Sequence, residues 1–137
     1  MVMVSGLTFG SFTAGATDDC TGYRTQTPGG WGSKARGNNP GAYRDAHFNQ
    51  AFPNGLVVGC EINTLTLTTS QAVEIFLPCG GTAAAITQDY TNPGCISNVF
   101  AGHLVAATLS VYFDLNDEGF SQAEGNLGDL EIAYGPF

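Results

Sequence analysis

Positive charge is almost absent from this sequence. Arg24, Lys34, Arg36 and Arg44 are its only Lys or Arg residues, against twelve carboxylates, and from Asp45 onward there are ten carboxylates with no Lys or Arg. A chain of net charge −8 repels polyanions through its long-range field, which argues against nucleic acid and anionic membrane surfaces as partners. Charged residues of both signs together make up only 12%, where soluble domains usually carry about 25%. Thr, Ser, Asn, Gln and Gly must therefore cover the surface, a composition typical of secreted β-rich proteins.

Other absences narrow the classes further. No run approaches the ~20 apolar residues of a membrane span. No G-x-S-x-G, H-E-x-x-H or P-loop pattern occurs, and Glu61, Glu74 and Asp89 are scattered rather than set as a carboxylate pair, so no catalytic residues are expected. His47 and His103 stand alone, the latter in an apolar run that suggests a half-buried side chain. No N-x-S/T sequon is present, which leaves only Thr and Ser for attached glycans. There is no internal repeat and no linker.

Four cysteines, an even number without a C-x-x-C pair, read as disulfides formed in an oxidising compartment rather than as a zinc or redox site. Of three pairings, Cys20–Cys60 and Cys79–Cys95 are favoured, the second closing a loop of ~16 residues and contributing about 3 kcal/mol in the chain-entropy picture. No signal-peptide pattern precedes them, so residue 1 is expected to open a mature or truncated chain. At 137 residues the chain has the size of one domain.

The first seventeen residues, MVMVSGLTFGSFTAGAT, carry no charge, and Met1, Met3, Leu7 and Phe9 alternate with Val2, Val4, Thr8 and Gly10. This is a strand pattern that wants burial on both faces. It is either the first strand of the domain's own sheet or an arm that completes a neighbour's sheet, as terminal apolar strands do. Residues 18–137 are then one globular β-rich domain.

TPGGWG at 27–32 is expected not to be helical, because Pro28 and three glycines interrupt the hydrogen-bond ladder, and NNPG at 38–41 is expected to be a turn. Leu56–Val58 reads as a strand ending in a bend at Gly59, and Leu65 and Leu67 alternate with threonines in a second strand. Short helices are expected at TSQAVEIFLP, capped by Thr69 or Ser70 and stopped by Pro78, and at GGTAAAITQDY, capped by Thr82. Residues 99–113 fit both periods and are expected to begin as helix or turn and run into a strand. LGDLEIAYG reads as a closing strand. The sum is a mainly β fold, an antiparallel β-sandwich with two or three short helices.

One stretch imitates a metal loop. Asp114, Asn116 and Glu118, with Gly119 following, copy the alternate oxygens of a calcium loop, but the twelfth position is Gly125 and Glu124 falls one place early. Calcium is thus a weak candidate cofactor beside the simpler reading of a polar turn, and no other cofactor is expected.

The ordered motifs TQ..GGWG, GNNPG, FP.GL.VG, LT...AV..FLP.GGT, T..Y.NP and FAG...A..L.V.F, from Thr25 to Phe113, resemble a domain recurring in secreted and surface-anchored bacterial proteins. The resemblance implies an extracellular surface module with no assigned catalytic residues. The chain departs from that pattern in Cys79 and Cys95, where Gln and a small polar residue are usual, in His103 where Gln is usual, and in Ala83 where Pro is common. The joint appearance of the two cysteines supports their bonding to each other.

Two functions are expected ahead of catalysis. The first is a structural subunit of an extracellular filament or surface array, joined head to tail to copies of itself through Met1, Val2, Met3, Val4, Leu7 and Phe9, with Arg24, Lys34, Arg36 and Arg44 meeting a neighbour's carboxylates. The alternative is a glycan-binding adhesin module that stacks sugars on Tyr23, Trp31 and Tyr43.

Overall fold

The computed structural model describes residues 20–131. In chain order these form α1 (Pro28–Trp31), α2 (Pro40–Ala51), β1 (Leu56–Cys60), β2 (Asn63–Leu67), α3 (Ser70–Phe76), β3 (Tyr90–Thr91), α4 (Val99–Asn116) and a 3-10 turn (Leu127–Asp129). The expected β-sandwich is not formed. Four helices surround one small mixed sheet, in which β2 is central, paired antiparallel to β1 and parallel to β3.

The reversal traces to three local readings. Pro28 and Pro40 do not break helices here; each opens one, at the first helical position where a missing N–H costs no bond. Thr27 caps α1 by accepting from Gly30 N at 3.1 Å. Asn39 caps α2, accepting from Ala42 N at 2.8 Å while its amide donates to Lys34 O at 2.8 Å. The glycines then serve close packing: a Cβ on Gly32 would lie 2.4 Å from Leu77 O, and one on Gly41 2.1 Å from Ser33 O.

The third reading concerns residues 99–116. Ala101, Gly102, Val105, Ala106, Leu109, Ser110, Phe113 and Asp114 are buried, a stripe of helical period that runs the full length of α4. Ala107, which a strand would have turned inward with Val105 and Leu109, is exposed. Eighteen residues of mean hydropathy 1.2 give α4 the length and apolarity of a membrane span, although its buried face forms the core of this domain. Conversely, the helix expected at Thr82 is absent. Asn98 holds the backbone of Ala84, donating to Ala84 O at 2.8 Å and accepting from Ala84 N at 3.2 Å, while also capping α4 through Ala101 N.

Two other expectations hold, the Thr69 cap of α3 and strands at Leu56–Val58 and around Leu65 and Leu67. The two strands pair as a hairpin closed by Cys60 and Asn63 around Glu61 and Ile62. The C-terminal strand expected at LGDLEIAYG begins instead as the 3-10 turn, and its residues from 132 lie outside the described ones. So does the arm at 1–17.

The described residues share one core. Trp31 from α1, Phe48 from α2, Leu56 and Leu65 from the sheet, Phe76 from α3 and Phe113 from α4 are all at or near zero exposure. Cys79 and Cys95 are joined by a disulfide with Cα atoms 4.9 Å apart, which ties the start of the 77–98 connection to its end and indicates a non-reducing environment.

Candidate functional site

The Gly-rich stretch is a structural corner, and its tryptophan is its anchor. Trp31 is fully buried, its indole N–H donates to Ser110 Oγ at 3.1 Å, and its ring packs against Phe113 with centroids 5.1 Å apart. No face of it is left for a sugar. Tyr23 donates to Glu124 O at 2.9 Å, and the half-buried Tyr43 is stacked on His47 at 4.0 Å with the Arg24 guanidinium 4.6 Å from its ring centre. The three aromatics therefore do not form the stacking platform expected of them.

The basic residues are likewise divided. Arg44 is fully buried, and all three of its nitrogens are bonded: Nη1 donates to Trp31 O at 2.5 Å and Ser33 O at 3.2 Å, Nη2 to Asp45 at 2.7 Å and Glu74 at 2.9 Å, and Nε to Ser70 Oγ at 2.9 Å and Asp45 at 3.0 Å. It staples α1, α2 and α3 together and cannot meet a neighbour's carboxylate. Asp45, though burial alone would raise its pKa, is held below the usual carboxylate range by hydrogen bonds from Ser70 and Arg44 and by the Arg44 charge. Arg24 lies over Tyr43 and Phe120. Of the four, Lys34 and Arg36 are exposed.

Around α4's C-terminal end, Tyr43 donates to Asp117, and His47 Nδ1 lies 3.9 Å from the same carboxylate. The hydrogen bond from Tyr43 outweighs burial and, with Gly119 N, His47 and Arg24, holds the Asp117 pKa below its usual range. Burial and the Asp117 bond push the Tyr43 phenol well above its usual range, so it remains a donor at neutral pH. A cleft of about 270 Å³ beside this cluster is lined by Asp114, Asp117, Glu118 and Ser121 among others.

Two of the three calcium candidates reach that cleft. Asp114 accepts from Leu127 N at 2.6 Å, so it fastens the 3-10 turn to α4. Asn116 turns away and donates to Tyr112 O. Among the described residues no group of three His, Cys, Asp or Glu is placed to hold a metal ion. Glu74 and Asp89 serve the fold, through Arg44 and through Thr64 N, and Glu61 is exposed at the hairpin turn. His103 is exposed on α4 rather than half-buried.

The feature that sequence reasoning missed is the edge of the sheet. Thr64 N donates to Asp89, and Thr66 O accepts from Asn92 N at 2.8 Å, so both residues turn their backbone toward β3. Their antiparallel partners on β1, Gly59 and Val57, accordingly point their N–H and C=O groups away from the sheet. Among the described residues no turn, loop or cap hydrogen bond reaches them, and the sheet has no strand beyond β1. The strand LVVGC contains no charge and no proline, the devices that usually blunt an edge. Val57 is 52% exposed, and Ile62 at the turn 79%.

Cys60 ends this strand. Leu56 and Val58 face the core, and simple alternation would turn Cys60 inward with them, but Gly59 at φ 120° breaks the alternation and Cys60 is exposed. The favoured Cys20–Cys60 bond is not formed: both are free, exposed thiols.

Comparison of the chain with models of known families, with characterised proteins and with solved structures found no match.

Proposed function

We propose that this chain is a structural subunit of an extracellular assembly, built by adding a strand from one copy to the sheet of the next. The observation that carries the reading is the open β1 edge, with the backbone groups of Val57 and Gly59 unpaired among the described residues. Such groups are satisfied by an extended segment, and the uncharged, alternating residues 1–17 of a neighbour have that character. The Cys79–Cys95 bond and the resemblance to surface-anchored bacterial domains support an extracellular place. No catalytic step belongs to this reading.

Negative-stain electron microscopy of the full chain, a version lacking residues 1–17 and Val57→Lys tests it, with circular dichroism to establish that each is folded. Filaments or oligomers are expected from the full chain alone, since a lysine on an edge opposes strand addition. Monomers in all three samples, or assembly untouched by either change, would sink the proposal.

Glycan binding keeps one supporting observation, a hollow of about 380 Å³ lined by Arg24, Gly37, Asn38, Ala42, Tyr43 and Ala46. In that form it uses Arg24, Asn38 and the Tyr43 edge, without Trp31. A glycan array on which Asn38→Ala binds as the parent does, or on which neither binds, would dismiss it.

A further inference from the structure

We infer that Cys60 of one copy and Cys20 of the next form a disulfide that locks the strand-added junction. The inference rests on the reading above, because it takes the open β1 edge as the acceptor and residues 1–17 as the donor.

Three observations carry it. The chain already holds one disulfide, between Cys79 and Cys95, so it belongs where thiols are oxidised. In such a place an exposed thiol that is not bonded within its own copy is available for exchange with another molecule, and this chain exposes two. Both stand where the junction would form. Cys60 is the last residue of the open edge, turned out by the backbone of Gly59, and Cys20 follows the uncharged segment by three residues.

Within one copy the two thiols are held by different elements. The segment after Cys20 is fastened to the loop beyond α4, with Gln122 N donating to Gly22 O at 2.9 Å and Arg24 N to Ser121 Oγ at 3.0 Å. Cys60 belongs to the hairpin, whose other strand is fastened to Asp89. Between copies the reach is ample. From Phe9 to Cys20 the chain spans up to about 36 Å when extended, roughly twice the ~17 Å length of a five-residue strand. The donor's Cys20 therefore reaches the acceptor's Cys60 whichever way the donor strand runs.

The chemistry is thiol–disulfide exchange with a small-molecule or protein disulfide as oxidant. One thiolate attacks a sulfur of the oxidant and releases half of it as a thiol. The second thiolate displaces the other half and closes the Cys20–Cys60 bond. Two electrons and two protons pass from the cysteine pair to the oxidant, which leaves as two thiols. Each copy contributes Cys20 to one junction and Cys60 to another, so junctions made with two different neighbours extend a chain of copies.

The test uses the full chain with Cys20→Ser and Cys60→Ser, each incubated in oxidised glutathione and run on a non-reducing gel, with peptide mass spectrometry to locate every bond. The parent is expected to give a ladder of oligomers that thiol reductant collapses. Each variant alone should stay monomeric, whereas their equimolar mixture should give dimer at least tenfold above either alone, since only Cys60 of one and Cys20 of the other remain to join. A dimer from either variant alone, or a parent monomer bonded internally between Cys20 and Cys60, would overturn the inference. Microscopy of the parent separates the two levels: assemblies without the Cys20–Cys60 ladder overturn the disulfide and leave strand addition standing, and no assembly in either redox state overturns both.

Discussion

Arg44 shows what a single residue does when its context is the interior. Counted along the sequence it belongs to a basic stretch, and a stretch of basic residues in an acidic chain suggests an interface. In the fold its guanidinium is enclosed and satisfied by two carboxylates, a hydroxyl and two carbonyls. A planar fork of five donors suits that role as a lysine would not. Removing it leaves Glu74, largely buried, and Asp45, 44% exposed, without their partner. Arg44→Ala is expected to cost about 2–3 kcal/mol, less than for a fully buried pair because solvent reaches Asp45, read as a lowered urea midpoint. A loss below about 1 kcal/mol would show that the network contributes little. Trp31 tells the same story for an aromatic: alone in the sequence and flanked by glycines, it resembles a ligand contact, but Gly32 beside it lets the backbone approach Leu77.

At the scale of elements, the signals that were legible are the ones local chemistry decides without competition. Thr69 ahead of an apolar run and Pro78 after it bracket α3, and alternating Leu and Thr mark β2. The misreadings occurred where one local signal has two structural uses. An Asn-Pro or Thr-Pro step begins a turn or caps a helix with equal ease, because both need extended backbone followed by the φ of proline. Three consecutive alanines favour helix by propensity, yet Ala83–Ala85 lie outside any helix or strand, and a buried asparagine fourteen residues from Ala84 supplies hydrogen bonds in place of a helical ladder. Asn98→Ala removes the α4 cap and those two bonds together. A stability loss of about 2 kcal/mol is expected, from a cap worth roughly 1 and newly unpaired groups on Ala84, with faster amide exchange at residues 83–85. Unchanged exchange there would mean that the connection is held by the disulfide alone.

For the whole molecule, the division of charge matters less than the sequence suggested. With Arg44 enclosed and Arg24 lying on aromatic rings, exposed Lys34 and Arg36 face a surface otherwise dominated by carboxylates. Copies of net charge −8 repel one another, and strand addition at an uncharged edge must overcome that repulsion. Assembly is therefore expected to strengthen as salt rises from about 20 to 300 mM, where the screening length falls below ~10 Å. Light scattering that decreases over this range would instead point to contacts between basic and acidic patches.

The sequence by itself determined the acidity, the strands β1 and β2, α3 and the bond between Cys79 and Cys95, because each follows from composition or from residues near one another in the chain. Only the tertiary structure decided that the fold is a helical layer on a small sheet, that Trp31 and Arg44 lie inside it, and that among the described residues no strand pairs with the outer side of β1, with Cys60 exposed at its end. Those outcomes depend on which distant groups meet. A backbone carbonyl beside a guanidinium, an amide beside an alanine fourteen residues away and a strand edge that no other described strand covers are relations across the fold, and no window along the chain contains them.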